Sequence, residues 1–529
     1  MSIQNYSYCF NSYQLNQVEL DLKYLKKPIN RNPIVVLSAI ITIGIAIRIL
    51  FVPFEIPLNS DNFAYFIYAI DHSLGQNSTM QVYNNGWPLF VSFFFSLYNS
   101  DNFLDYMALQ RILSVVISSL TAIPIYFLCR KFFEEKFALL GSLIFIFEPR
   151  IIQNSTFGIT DPLYILLIVI GMVFILSSCY KRNYLAFIAI ALASVVRIEG
   201  LFLLPAFIFV FFLKNPINKE KIFRISISVL IFILIISVVG ILRMEESGSD
   251  NFLSRVNDST KELTDSPETK IYGSTINLVS TGLLNTLKFI GWSQIPLLIF
   301  VVPIGFVLMI KDRKIIKFML SMSFFIILPV IYAFSFSSDT RYLFPLYPLF
   351  SLLALFLFRW ISENKKSFFK ISQISLIVLI VISSPLFLIW KDIDRNHESE
   401  VYEIIKEMIP SNGIVNNFVP ESSYIFPAVI NQMTDFPKTW AEISMNTSKV
   451  VEIRKINSME ELVIRESGDK LTHIVVKEDN DPVFLNNIFE NEEKYDYVIK
   501  EYDSKEKGHD IHFKLFRINY EKIKIFNSE

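Results

Sequence analysis

Four short stretches of the chain place carboxylates and arginines at the edges of apolar runs. Charge is expensive there, so each group is a candidate for function. Asp61 stands in IPLNSDNFAYFIYAIDHSLG (56–75), ahead of Phe63, Phe66, Ile67 and Ile70 at helical spacing. A carboxylate in that place can deprotonate a hydroxyl, or it can simply cap the helix. His72, beside Asp71, reads as a solvated loop residue. In EPRIIQNSTFGITDPLY (148–164), Glu148 and Arg150 close one apolar run and Asp161-Pro162 opens the next. Two acids and an arginine exceed what capping needs, although a structural Arg–carboxylate pair is an alternative. Arg197 and Glu199 interrupt VVRIEGLFLLP (195–205), where they would either serve a ligand or neutralise each other. Arg341 and Tyr342 open a further run in SSDTRYLFPLYP (337–348), with an anionic ligand or Asp339 as the partner of the arginine.

Guanidinium groups hold phosphate bidentately. Carboxylates and arginines on one face of a membrane therefore suit a substrate with a lipid tail and a phosphate head. Asp61, Glu148 and Asp161 are also hard oxygen donors of the kind that ligate Mg2+ or Mn2+, but they come from separate loops. A Gly-rich phosphate loop, a CxxC pair and an HExxH motif are absent from the sequence.

The elements that carry these residues are apolar helices. Of 529 residues, 52% are hydrophobic, 50 are Phe and only 19% are charged, against about 25% in a typical soluble protein. Mean hydropathy is +0.43. That excludes a disordered or nucleic-acid-binding chain. The formal net charge of −1 hides two regions: residues 1–390 carry 31 basic and 23 acidic side chains, and residues 391–529 carry 18 and 27. Apolar runs at 33–53, 105–128, 137–150, 161–178, 184–197, 199–213, 222–243, 289–310, 315–335, 341–358 and 371–390 predict eleven membrane spans. The third, fifth and sixth are short, as broken or cavity-lining helices are.

Loops 23–31, 129–136, 181–183, 214–221 with Arg224, 311–317 and 359–370 are all basic, whereas the first outer loop, 54–87, has no Lys or Arg. The positive-inside rule then puts the N-terminus in the cytoplasm and the C-terminus outside. The polar segment 1–32 leads into an uncleaved anchor rather than a signal peptide. The Ser-, Thr- and Asp-rich outer loop 244–288 is a candidate cover for a substrate. Residues 391–529 read as a soluble extracytoplasmic α/β domain without cysteines. Its expected elements are helices at 397–410 and 483–493, a strand at 472–478, and antiparallel strands at 495–504 and 512–520. The domain plan is thus 1–32 cytoplasmic, 33–390 transmembrane and 391–529 soluble.

The ordered series SDNFAYFIYA, NNGWPLFVSFFFSLY, QRILSVVISSLTAIPIYFLCRKFF, FGITDPLYILL, RIEGLFLLP and RYLFPLYPL resembles the integral-membrane glycosyltransferases of the C fold. It is closest to the dolichyl-phosphate-mannose–protein mannosyltransferase-like branch and the bacterial aminoarabinose and lipopolysaccharide-core transferases. The resemblance covers about 33–390. It implies a multi-pass membrane enzyme that transfers one sugar, mannose or similar, with inversion from a polyprenyl or dolichyl phosphate. The acceptor would be a hydroxyl of a glycan, lipid or protein.

It further implies that Asp61 is the catalytic base, and that Arg197 and Arg341 face the lipid phosphate. Asp161, Glu199 and Tyr342 would belong to the same substrate site. Two departures stand out. Asp61-Asn62 replaces the Asp-Glu pair usual in protein mannosyltransferases, which puts a protein acceptor in question. The WWDYG-type motif of oligosaccharyltransferases is absent, which disfavours en bloc oligosaccharide transfer. A lipid-linked sugar transporter is the alternative class. It needs no base in a surface loop, and it favours internal repeats, which the chain does not show.

Overall fold

Apolar runs bounded by prolines, glycines and polar caps fold as helices in the described residues between 31 and 408. A computed structural model describes residues 31–78, 82, 84–250 except 215–217, 252–265, 274–408 except 365, 417–418, 424–430, 436–446, 458–466, 471–478 and 483–522. Residues 1–30 of the expected cytoplasmic segment 1–32 and the polar stretch 266–273 lie outside the described residues. Each of the eleven expected runs carries helix. Five described helices are long and apolar enough to cross a membrane, or seven if each of two bent pairs is one span. The chain divides into two compact units: residues 1–51, 83–87 and 112–387, and residues 52–82, 88–111 and 388–529.

In the first unit, local signals fix where helices begin. Asn218 caps Lys219–Ser247 by accepting from Lys221 N at 2.9 Å, and Gly248 ends that helix at φ +73. Glu148 caps the short helix Pro149–Thr156, which is bent by 52° from Glu135–Ile146. Proline cannot donate to the preceding turn, so the chain redirects there. The Asp161–Ile175 and Tyr180–Val196 helices form an antiparallel pair in this unit.

The expected span 289–310 is two helices, Thr275–Ser293 and Leu298–Met309, meeting at 109°. Pro296 lies in the break and lacks the N–H that a continuous helix needs. The carbonyls freed there are taken by other segments. Arg150 donates to Trp292 O at 3.2 Å and to Ile295 O at 3.4 Å, and the Tyr347 hydroxyl donates to Ser293 O. The stretch 244–288, expected as a loop, is not loop throughout. It holds the amphipathic helix Leu253–Asp265 and the start of Thr275–Ser293.

In the second unit, four strands form a sheet in the order β1 (Asn417–Phe418), β2 (His473–Lys477), β4 (Phe513–Ile518), β3 (Val498–Asp503). β1 runs parallel to β2; β4 is antiparallel to β2 and β3. Side chains alternate between the faces. Val475, Phe513 and Leu515 pack with Val401, Ile404, Ile405 and Met408, the apolar stripe at the end of helix Lys366–Met408. Ile474, Val476, Phe516 and Ile518 pack with Leu462, Leu485 and Ile488 on the other side. Ile56 joins the former cluster. The helix Ser60–Ser73 turns Phe66 onto Phe436, with rings stacked 6.2 Å apart.

Candidate active site

In the first unit the Tyr180–Val196 helix stops because Arg197 turns to extended backbone, at φ −145 and ψ 128. A tight 3-10 turn, Ile198–Phe202, follows. It carries Glu199 back beside Arg197. The turn fits against the helix it leaves only because residue 200 is glycine: a Cβ there would lie 2.7 Å from Ser194 N. Asn84 steadies the turn, its Oδ1 accepting from Ile198 N at 3.3 Å. Asp161 comes from the start of its own helix, where Pro162 suits the first turn.

These segments deliver one buried network. Arg197 Nη1 lies 2.7 Å from Asp161 Oδ1, and Nη2 lies 2.8 Å from Glu199 Oε1. Nε faces Glu199 Oε2 at 3.4 Å, and Nη1 also faces Thr160 Oγ1 at 3.4 Å. The rings of Tyr342 and Tyr164 flank the guanidinium, with centroids 5.6 and 5.9 Å from its Cζ, within cation–π range. Asp161 Oδ2 is buried and makes no hydrogen bond among the described residues. Arg341 sits at the head of the turn Thr340–Leu346. Asp339 accepts from its backbone N at 2.9 Å and pairs with its Nε at 2.5 Å. Asp161, Tyr164, Arg197, Glu199, Arg341 and Tyr342 line one open hollow, together with the apolar side chains of Ile326, Pro329, Val330 and Pro345.

Five expected site residues are thus brought together: Asp161, Arg197, Glu199, Arg341 and Tyr342. Both ion-pair alternatives are formed as well. The Arg197 fork is engaged by two carboxylates, and Arg341 shares its charge with Asp339. Chemically, the hollow offers a guanidinium for an anionic group and an acceptor oxygen on Asp161 for a hydroxyl. Tyr164 was not singled out from the sequence, although its position one turn after Asp161 puts both on one helix face.

The other expected residues are placed elsewhere. Glu148 accepts from Arg150 N at 2.6 Å and Ile151 N at 3.2 Å, so its carboxylate is a helix cap. Among the described residues no group of three or more His, Cys, Asp or Glu side chains is arranged to hold a metal ion. Asp61 belongs to the second unit. It is exposed, in the first turn of Ser60–Ser73, and the cap position is Asn59 rather than Asp61. His72 is not a loop residue: it closes that helix, partly buried, its ring 4.4 Å from Tyr68. Asp71 is buried, accepting from Trp440 N at 2.7 Å and Ser78 Oγ at 2.6 Å.

Residues 87–241, which include Glu148, Asp161, Arg197 and Glu199, match the family described as dolichyl-phosphate-mannose-protein mannosyltransferase. No curated protein matches the chain. Two solved structures are similar over most of its length. The archaeal oligosaccharyltransferase AglB from Archaeoglobus fulgidus, in complex with an inhibitory peptide and a dolichol-phosphate, is 11% identical. That match covers 83% of this chain and 69% of that one, with a TM-score of 0.51. ArnT from Cupriavidus metallidurans, bound to undecaprenyl phosphate, is 12% identical, covering 91% and 97% at a TM-score of 0.50. The chain therefore has the C fold of the integral-membrane glycosyltransferases, with a small sheet-containing C-terminal domain.

Proposed function

We propose that this protein is an inverting glycosyltransferase acting at the outer face of the membrane. It moves one sugar, mannose or similar, from a polyprenyl or dolichyl phosphate to a hydroxyl of a glycan, lipid or protein. The observation that carries the reading is the hollow in which Arg341, Tyr342, Asp161 and the Arg197–Glu199 pair meet. Five charged or polar side chains converge there among apolar helices, an expensive arrangement that a ligand with a phosphate head makes useful. Polyisoprenoid phosphates bound to AglB and ArnT support the donor class.

In this reading Asp61 takes the proton of the acceptor hydroxyl as its oxygen attacks the anomeric carbon. The bond from that carbon to the phosphate oxygen breaks, and the electron pair leaves with the lipid phosphate. Arg341 stabilises the negative charge that develops on the leaving group. Arg197 holds Asp161 and Glu199 in place, leaving Asp161 Oδ2 to accept from a sugar hydroxyl. The basic loops are cytoplasmic and the 391–529 domain is outside, as the charge pattern suggests.

The test is transfer by the purified full chain from a panel of labelled polyprenyl-phosphate sugars, with and without EDTA. Asp61→Asn lowers turnover by about 10²- to 10⁴-fold, the usual share of a general base. Arg341→Ala weakens inhibition by free polyprenyl phosphate by about 10- to 100-fold, the loss of a charge-assisted bond. Full activity of both variants refutes the reading. Uptake of the labelled lipid into vesicles with no transfer product would favour the transporter class instead.

A further inference from the structure

Asn59 occupies a cap position without capping. Its backbone, at φ −128 and ψ 168, has the extended form of a cap residue ahead of Ser60–Ser73. Asparagine is among the best caps because its oxygen reaches the first-turn N–H groups. Here the side chain makes no cap bond. Its Nδ2 donates instead to the Tyr424 hydroxyl, 2.9 Å away in space and 365 residues away in sequence. Ser60 follows at φ +48, the single non-glycine residue with positive φ among the described residues. Left-handed backbone is disfavoured for a residue with a Cβ, and it persists only where the surroundings impose it.

Asp61 comes next, and the Asn62 carbonyl after it accepts from Gln110 Nε2 at 3.3 Å. Tyr424 is itself fixed. It is 2% exposed, in one cluster with Ile56 and Val401, its ring 6.0 Å from that of Tyr402. A forgone cap and a left-handed serine both disfavour this turn. The bond to a rigid tyrosine offsets them, and it does so two residues before the candidate base.

We propose that Tyr424, through its hydrogen bond to Asn59 and the left-handed turn at Ser60, is a positioning residue that sets the direction of the Asp61 carboxylate. The soluble domain thereby contributes to catalysis without touching substrate. This rests on Asp61 being the base, as proposed above.

Two readouts on the full chain in detergent test it. The first is amide hydrogen exchange of the peptide spanning residues 58–66. Tyr424→Phe and Asn59→Ala each speed it, and the double variant speeds it no further, because both remove one bond. Tyr402→Phe is the control. Its hydroxyl makes no hydrogen bond among the described residues, so its loss leaves exchange unchanged. The second is turnover with whichever labelled polyprenyl-phosphate sugar the parent uses. In Tyr424→Phe, kcat falls about tenfold and donor KM holds within about twofold, because a misdirected base slows chemistry and not binding. The thermal midpoint stays near that of Tyr402→Phe.

Parental exchange in Tyr424→Phe overturns the proposal. So does parental kcat in Tyr424→Phe beside an inactive Asp61→Asn. A fully active Asp61→Asn removes the base reading instead, and the exchange data then judge the turn alone.

Discussion

Replacing Arg197 by alanine strips two carboxylates of one cation, and the cost can be worked from their surroundings. Asp161 is 1% exposed at its side chain and loses a partner at 2.7 Å; Glu199 is 23% exposed and loses one at 2.8 Å. Removing one member of a buried pair costs about 3–5 kcal/mol, chiefly because the remaining charge is stranded. The Asp161 half bears nearly all of that. The Glu199 half touches solvent and adds about 1 kcal/mol at most.

Arg197→Ala should therefore lose about 4–5 kcal/mol. Arg197→Lys keeps the charge but not the fork or the flat face against Tyr342, and should lose about 1–2 kcal/mol. Adding Asp161→Asn to Arg197→Ala removes the stranded charge and should return about 2 kcal/mol. Unfolding midpoints in mixed micelles, taken for all four chains, give the ranking: parent, Arg197→Lys, Arg197→Ala/Asp161→Asn, Arg197→Ala. If Arg197→Ala unfolds within about 1 kcal/mol of the parent, or if the second substitution brings no recovery, Arg197 is not holding buried anions and the account of the network is wrong.

The remaining expectations concern Gly200, beside that network, and Asp71 of the second unit. Gly200→Ala pushes a methyl against the Ser194 backbone and should cost about 1–3 kcal/mol; it displaces Glu199 and lowers transfer activity, read by midpoint and turnover together. Burial pushes the Asp71 carboxyl above the usual carboxylate range, with the Ser78 and Trp440 hydrogen bonds opposing it. The folded chain then holds this proton where the unfolded chain has released it, so this group's contribution falls as pH rises from about 4. Asp71→Asn still accepts from Trp440 N, so its stability relative to the parent should climb with pH across that range in a denaturation series. A flat difference would show that Asp71 is ionised in both states.

Helix positions were legible because apolar runs and their caps are local signals. The strands THIVVKE and HFKLFRINY read correctly for the same reason: a run of β-branched and aromatic residues is itself a local signal. What stayed illegible is partnership. Nothing local to VVRIEG says that Arg197 will reach Asp161, 36 residues earlier, as well as Glu199. Asp61 could be read as a cap, but the cap position is Asn59, whose side-chain partner is 365 residues away. The break at 294–297 was hidden by composition, because 289–310 is apolar enough to average as one span. Pro296 was its only local sign. Glu148 and Asp161 looked alike as acids at helix ends, and only the fold separates a cap from a member of the ion-pair network.

The bend between Thr275–Ser293 and Leu298–Met309 ties together two segments that are far apart in the gene. Its open carbonyls are taken by Arg150 from one side and Tyr347 from another. A chain that ran straight through this point would leave Arg150 without these two acceptors, and one that lost Arg150 would leave the Trp292 and Ile295 carbonyls without that donor. Among related sequences, the proline in the break and the arginine after Glu148-Pro149 should therefore be inherited or lost as a pair. That coupled history would be visible in an alignment even where overall identity has drifted to the level of chance.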